Sequence, residues 1–131
     1  MNLKILILFC CILTAGCSIY QVDTHETSLE YFPPKASSQA ITYMDEVNQA
    51  YEEIGTVTVT AERRQPMEEI LDKMKQEAAL LGGDALTGLE TDAGGMWKKI
   101  KPQKLLGNAY IRANYTAKVI ALKNKNSITS Q

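Results

Sequence analysis

The chain of 131 residues is long enough for one domain behind a leader segment. Hydrophobic content of 45% is that of a globular protein and argues against general disorder, and a formal charge of −1 gives no sign of a nucleic-acid footprint. All three cysteines, Cys10, Cys11 and Cys17, precede the body of the chain, so its fold has no disulfide and must rest on its core.

Lys4 supplies a positive charge, and Ile5 to Leu13 is an unbroken apolar run. That run is far shorter than the ~20 residues a membrane-spanning helix needs, so residues 1–16 read as a cleaved export signal. The run closes on Leu13-Thr14-Ala15-Gly16-Cys17. This stretch resembles the lipobox of bacterial lipoprotein precursors, with Ala15 and Gly16 at its small positions, Cys17 at its cysteine, and Leu13 one place earlier than usual. The resemblance implies that Cys17 receives a diacylglycerol on sulfur, becomes the mature N-terminus and is N-acylated, for instance by palmitate. Two or three acyl chains hold a protein on a membrane persistently where one does not. Ser18 in the following position is permissive for the outer membrane, which is favoured over the inner membrane. Loss of Lys4 with the leader makes the remainder slightly more acidic.

Residues 17–39 are polar and show no sustained period, and Pro33-Pro34 resists helix. They read as a lipid-anchored tether reaching roughly 25 Å as a flexible coil. His25, the single histidine, falls here beside Asp23 and Glu26. A flexible tether gives metal ligands no fixed geometry, so His25 reads as solvated and no metal site is expected.

Residues 40–124 read as the domain. Ala40 to Met44 has strand composition, and Tyr51 to Thr60 alternates Val57 and Val59 with Thr56, Thr58 and Thr60, the pattern of a half-buried strand. A hairpin of the two is expected, with Gly55 marking a bulge or a close backbone approach. Next comes a helix. Pro66 suits its first position, Glu68 and Glu69 the positive end of its dipole, and Gly82-Gly83 its stop. Met67, Ile70, Leu71, Met74, Ala78 and Leu81 form one apolar stripe, so the helix is expected to lie across a sheet, with its methionines as core filler. Glu69 and Lys73 are spaced to pair on the other face.

Asp84 to Glu90 reads as a third strand and Thr91 to Gly95 as a turn. Met96 to Leu106 carries Trp97 and four lysines, Lys98, Lys99, Lys101 and Lys104. It reads as a long connection with solvated lysines and Trp97 at the core edge. Contact with anionic lipid headgroups or with a protein is its functional alternative. Tyr110 to Leu122 alternates strictly and reads as a long strand, apolar on both faces near Ile120 and Leu122. Residues 125–131 are a polar tail. The expected class is α+β, a single helix packed on a mostly antiparallel sheet in the order β-β-α-β-β.

The run Tyr51-Glu52-Glu53-Ile54-Gly55-Thr56-Val57, followed by a helix ending in Leu81-Gly82-Gly83-Asp84-Ala85, is similar to a group of small bacterial envelope domains that includes the Rcs stress sensor and the YbjQ-like family. Gly83 stands where Ala is commoner. The resemblance covers about Ile41 to Leu89 and implies a fold and an envelope setting. It implies no catalytic residue. The domain has no cysteine or histidine, and Asp84, Glu90 and Asp92 cluster beside glycines as turn carboxylates do. No catalytic site, cofactor or nucleic-acid partner is expected. The expected function is that of a non-enzymatic, lipid-anchored envelope protein, a protein-interaction, stress-sensing or structural module held to the membrane by acylated Cys17. It would bind a protein partner or self-associate. A small-ligand or cation-binding oligomeric module is the alternative.

Overall fold

The computed structural model describes residues 20–123. The expected leader (1–16), Cys17 and the tail (125–131) lie outside the described residues. The fold is α+β, one helix across one face of a mostly antiparallel six-stranded sheet. The strands β1 (Tyr20–Glu26), β3 (Tyr51–Ala61), β8 (Asn114–Leu122), β5 (Ala85–Thr91) and β2 (Thr42–Met44) lie side by side in that order, and β6 (Lys98–Lys99) adds to the end of β5. The helix α1 spans Met67–Leu81. A second, two-stranded sheet pairs β4 (Gln65–Pro66) with β7 (Asn108–Ala109).

The apolar stripe of α1 meets the inward alternation of the long strands. Ile70, Met74 and Ala78 are fully buried, as are Val57 and Val59 of β3, Leu86 of β5 and Val119 of β8. Each of these larger side chains, Ala78 aside, contributes about 1.5–3 kcal/mol on burial, which is how a domain without a disulfide stays folded. Thr58 and Thr60 face the other way, and their hydroxyls donate to Thr116 Oγ1 and Asn114 Oδ1 on β8. That opposite face stays polar, as antiparallel sheets allow.

Two glycines are required by space and geometry. Gly82 ends the helix in the left-handed region at φ 80°, and a Cβ there would stand 2.5 Å from the Phe32 carbonyl oxygen. Gly55 sits at the register shift of β3 against β8, where a Cβ would meet Leu81 Cδ1 at 2.7 Å and the His25 carbonyl oxygen at 2.9 Å.

Four expectations are corrected. The expected tether, residues 17–39, is not free from Tyr20 onward: there the chain forms β1, an edge strand antiparallel to β3 with Tyr20 opposite Ala61 and Glu26 opposite Gly55. Further on, Phe32 packs against the core, and the Lys35 amide donates to the Ala79 carbonyl at 2.8 Å. The strand at Thr42–Met44 makes no hairpin with β3. Both flanks of β3 are taken by β1 and β8, so β2 crosses to the far edge and runs parallel to β5. Pro66 is the last extended residue before the helix, at ψ 143°, because it pairs with Asn108, and the free Met67 amide donates to the Gly107 carbonyl at 2.9 Å. Finally, the last long strand starts at Asn114. Tyr110 to Ala113 is a turn, with Arg112 at φ 60° and its amide donating to the Ala61 carbonyl at 2.7 Å.

Candidate functional site

One end of the sheet collects features that the core does not account for. Here β3 and β5 finish, β8 begins, and β1 starts beside Ala61. Three connections close this end: residues 62–64 from β3 to β4, 92–97 from β5 to β6, and 110–113 from β7 to β8. Hydrogen bonds fix the second to the third. The Asn114 amide and its Nδ2 each donate to a different oxygen of Asp92 at 2.7 Å, and the Thr91 hydroxyl donates to the Asn114 carbonyl at 3.0 Å. Donation from Asn114, side chain first and backbone second, holds the Asp92 carboxyl below its ordinary value against the opposing effect of burial.

A hollow of about 430 Å³ opens here. Met67, Ile100 and Tyr115 give it an apolar floor, while Lys98, Lys99, Lys101 and Lys104 stand around it. Burial pushes the Tyr115 phenol up, partly offset by the Tyr110 amide, which donates to its oxygen at 2.7 Å. Lys98 and Lys99 form β6, Lys101 caps the 3-10 turn Pro102–Leu106 and Lys104 lies within it, so these elements hold that connection in shape. Gln65 in β4 is buried with neither amide atom partnered among the described residues. The other perturbed phenol, Tyr43, lies away from this end on β2. It is raised by burial and tied to β5 by the Leu89 amide at 3.3 Å.

Around the hollow, large apolar side chains stand in solvent: Met96 at 77%, Tyr110 at 60%, Ile111 at 58% and Trp97 at 52% exposed. Trp97 leans toward Thr60 and Asn114 at the edge of the polar sheet face rather than closing the core edge.

The carboxylates singled out in sequence are dispersed. Asp84 sits at the opposite end, accepting the Leu122 amide at 2.8 Å and pairing with Lys35 at 3.2 Å. Glu90 pairs in register with Lys99. Asp92 is the hydrogen-bonded brace described above. His25 lies exposed on β1 opposite Thr56. No group of three or more His, Cys, Asp and Glu side chains among the described residues is placed to hold a metal. Cys17 lies outside the described residues, three positions before β1. Arg64 shares a hollow with Tyr110 and Ile111, and Arg112 shares another with them; sequence reasoning missed this grouping because Tyr110 to Arg112 reads as strand and Arg64 lies in a separate connection. The one signal was the exposed run of apolar and basic residues from Met96 onward.

No family model and no curated protein matches the chain. Among solved structures it is similar to a Francisella virulence factor, FvfA, with a TM-score of 0.51 and 9% identity over 78% of this chain and 97% of that one. At that identity the likeness is one of fold.

Proposed function

We propose that this chain is a non-enzymatic lipoprotein of the bacterial envelope, anchored by acylated Cys17 to the outer membrane in preference to the inner. Its α+β domain serves as a protein-interaction, stress-sensing or structural module. The observation that carries this reading is the run Leu13-Thr14-Ala15-Gly16-Cys17 behind a short apolar segment. The domain supports a binding role better than a catalytic one. Its Asp84 and Asp92 carboxylates accept the Leu122 and Asn114 amides, and the hydroxyls that donate to carboxylates, Thr24 to Glu77 and Ser28 to Glu52, do not line the hollow. The full chain expressed in a bacterium incorporates labelled palmitate, and Cys17→Ser abolishes incorporation. Equal labelling of the variant would overturn the reading.

The hollow favours a second reading, a small-ligand module. Four lysines around an apolar floor repel a cation and suit an anionic ligand with an apolar body. A saturable rise in Tm with such a ligand supports it.

A further inference from the structure

The position of β1 changes what an acyl group on Cys17 would do. With β1 starting at Tyr20, only three residue steps separate Cys17 from a strand hydrogen-bonded into the sheet. Three steps reach no more than about 11 Å even fully extended. A lipid anchor at Cys17 therefore holds the Tyr20–Ala61 end of the domain against the bilayer surface.

That end carries the residues a bilayer interface accepts. Met96 and Trp97 project from one loop, Tyr110 and Ile111 from the neighbouring turn, all four at least half exposed. Tyr110, Ile111 and Arg112 share a hollow with Asp92, Gly94 and Lys98, and Tyr110 and Ile111 share another with Arg64, so the loops form one continuous surface. Trp and Tyr rings favour the headgroup level, and Arg and Lys beside them meet anionic headgroups while their stems lie along apolar surface. Of the acids here, Asp92 is turned to Asn114 and Glu69 lies 3.9 Å from Arg63, which leaves Glu62 and Asp23, the latter lining a hollow with Trp97, against several cations. The opposite end carries Glu26, Glu52, Glu53 and Asp84, with Glu53 3.7 Å from Lys118 and Asp84 3.2 Å from Lys35, a poorer match to an anionic surface.

We propose that the Tyr20–Ala61 end is a membrane-docking face, which lies on anionic phospholipid with Met96, Trp97, Tyr110 and Ile111 at the headgroup level. The proposal rests on the lipoprotein reading above, because the anchor supplies the orientation and the face supplies the contact. The domain is then a rigid body standing on the membrane, with its acidic end directed away.

Trp97, the single tryptophan, is the probe. The full acylated chain is reconstituted into phosphatidylethanolamine vesicles containing brominated phosphatidylglycerol, and palmitate labelling of the same preparation is measured separately. Trp97 emission is expected to shift to the blue and to be quenched. Met96→Asp with Ile111→Asp, both exposed positions, abolishes quenching while the protein still floats with the vesicles and keeps its urea midpoint. A labelled, floating wild-type chain whose Trp97 stays at solvent-exposed emission and unquenched overturns the docking face and leaves the anchor standing. Quenching that persists in a chain without label overturns the anchor alone. Trp97 shielding that rises with protein density and shows no lipid quenching assigns the face to a second copy or another protein, and overturns the proposal.

Discussion

At the end of the sheet where β1 finishes and β3 begins, the chain is closed by packing against the stop of the helix. Phe32 lies over Gly82, Lys35 reaches both the Ala79 carbonyl and the Asp84 carboxylate, and Asp84 takes the Leu122 amide. At the other end, where β1 starts, loops 92–97 and 110–113 are braced by Asp92 and Asn114 but leave Met96 and Ile111 in solvent. The first end uses its special residues inside the fold. The second keeps apolar and basic side chains that the fold does not consume, which is where binding surface is found. Substitutions therefore separate the two ends by what they change, stability at the first and surface contact at the second.

The largest effect is expected from Gly82→Ala. The residue holds φ 80°, which costs a side-chain-bearing residue, and the new Cβ meets the Phe32 carbonyl oxygen at 2.5 Å. Together these are worth about 2–4 kcal/mol, a fall in Tm of roughly 10–20 °C for a domain of this size. A loss under about 1 kcal/mol in urea or thermal melts would show that the segment around Phe32 is not held against the helix stop.

That segment marks where sequence reasoning ran out. β3, α1 and β5 were legible because each buries a face. Val57 and Val59 show a period of two, and Ile70, Met74 and Ala78 show the helical period. β1 buries almost nothing. Gln21, Val22, Asp23, His25 and Glu26 are exposed, and the strand is held by backbone pairing to β3 together with the Thr24 hydroxyl, which donates to Glu77 of the helix at 3.0 Å. Backbone pairing leaves no hydrophobic pattern, so an edge strand read as a tether. β2 was legible as a strand, but its partner was not. Partner choice depended on β1 and β8 already flanking β3. Tyr110 to Ala113 failed the other way, since its alternation matches a strand while Arg112 at φ 60° turns the chain. The candidate surface depends on the first and last of these features, because β1 brings the chain start to this end and the turn leaves Tyr110 and Ile111 exposed. Only the 96–106 stretch hinted at it.

A smaller effect is expected from Asp92→Ala, the brace of the second end. Losing two bonds from Asn114 to a carboxylate, both 2.7 Å, costs about 1–2 kcal/mol at this half-exposed position. The pH dependence gives its signature. The folded carboxyl lies below 3.8, its ordinary value, so its contribution is complete above that pH and is lost as pH falls through the lowered folded value. Urea melts of the variant should be weaker than wild type near neutrality and converge with it in acid. A constant gap down through acid pH would mean that the carboxylate charge is not what braces the two loops.

The smallest effect on stability, and the sharpest test of the contrast, is Met96→Ser combined with Ile111→Ser. Both side chains are more than half exposed, so their removal opens no cavity and leaves no polar group unpaired. Stability should stay within about 0.5 kcal/mol of wild type, measured in the same melts that register Gly82→Ala. A drop of about 1 kcal/mol or more would place these residues among those the fold uses. Near-zero change means that the domain carries two large apolar groups in water without any folding advantage, a state soluble proteins keep small unless the patch meets something. The basic side chains around that patch, Arg64 beside Tyr110 and Ile111 among them, then select the thing it meets by charge.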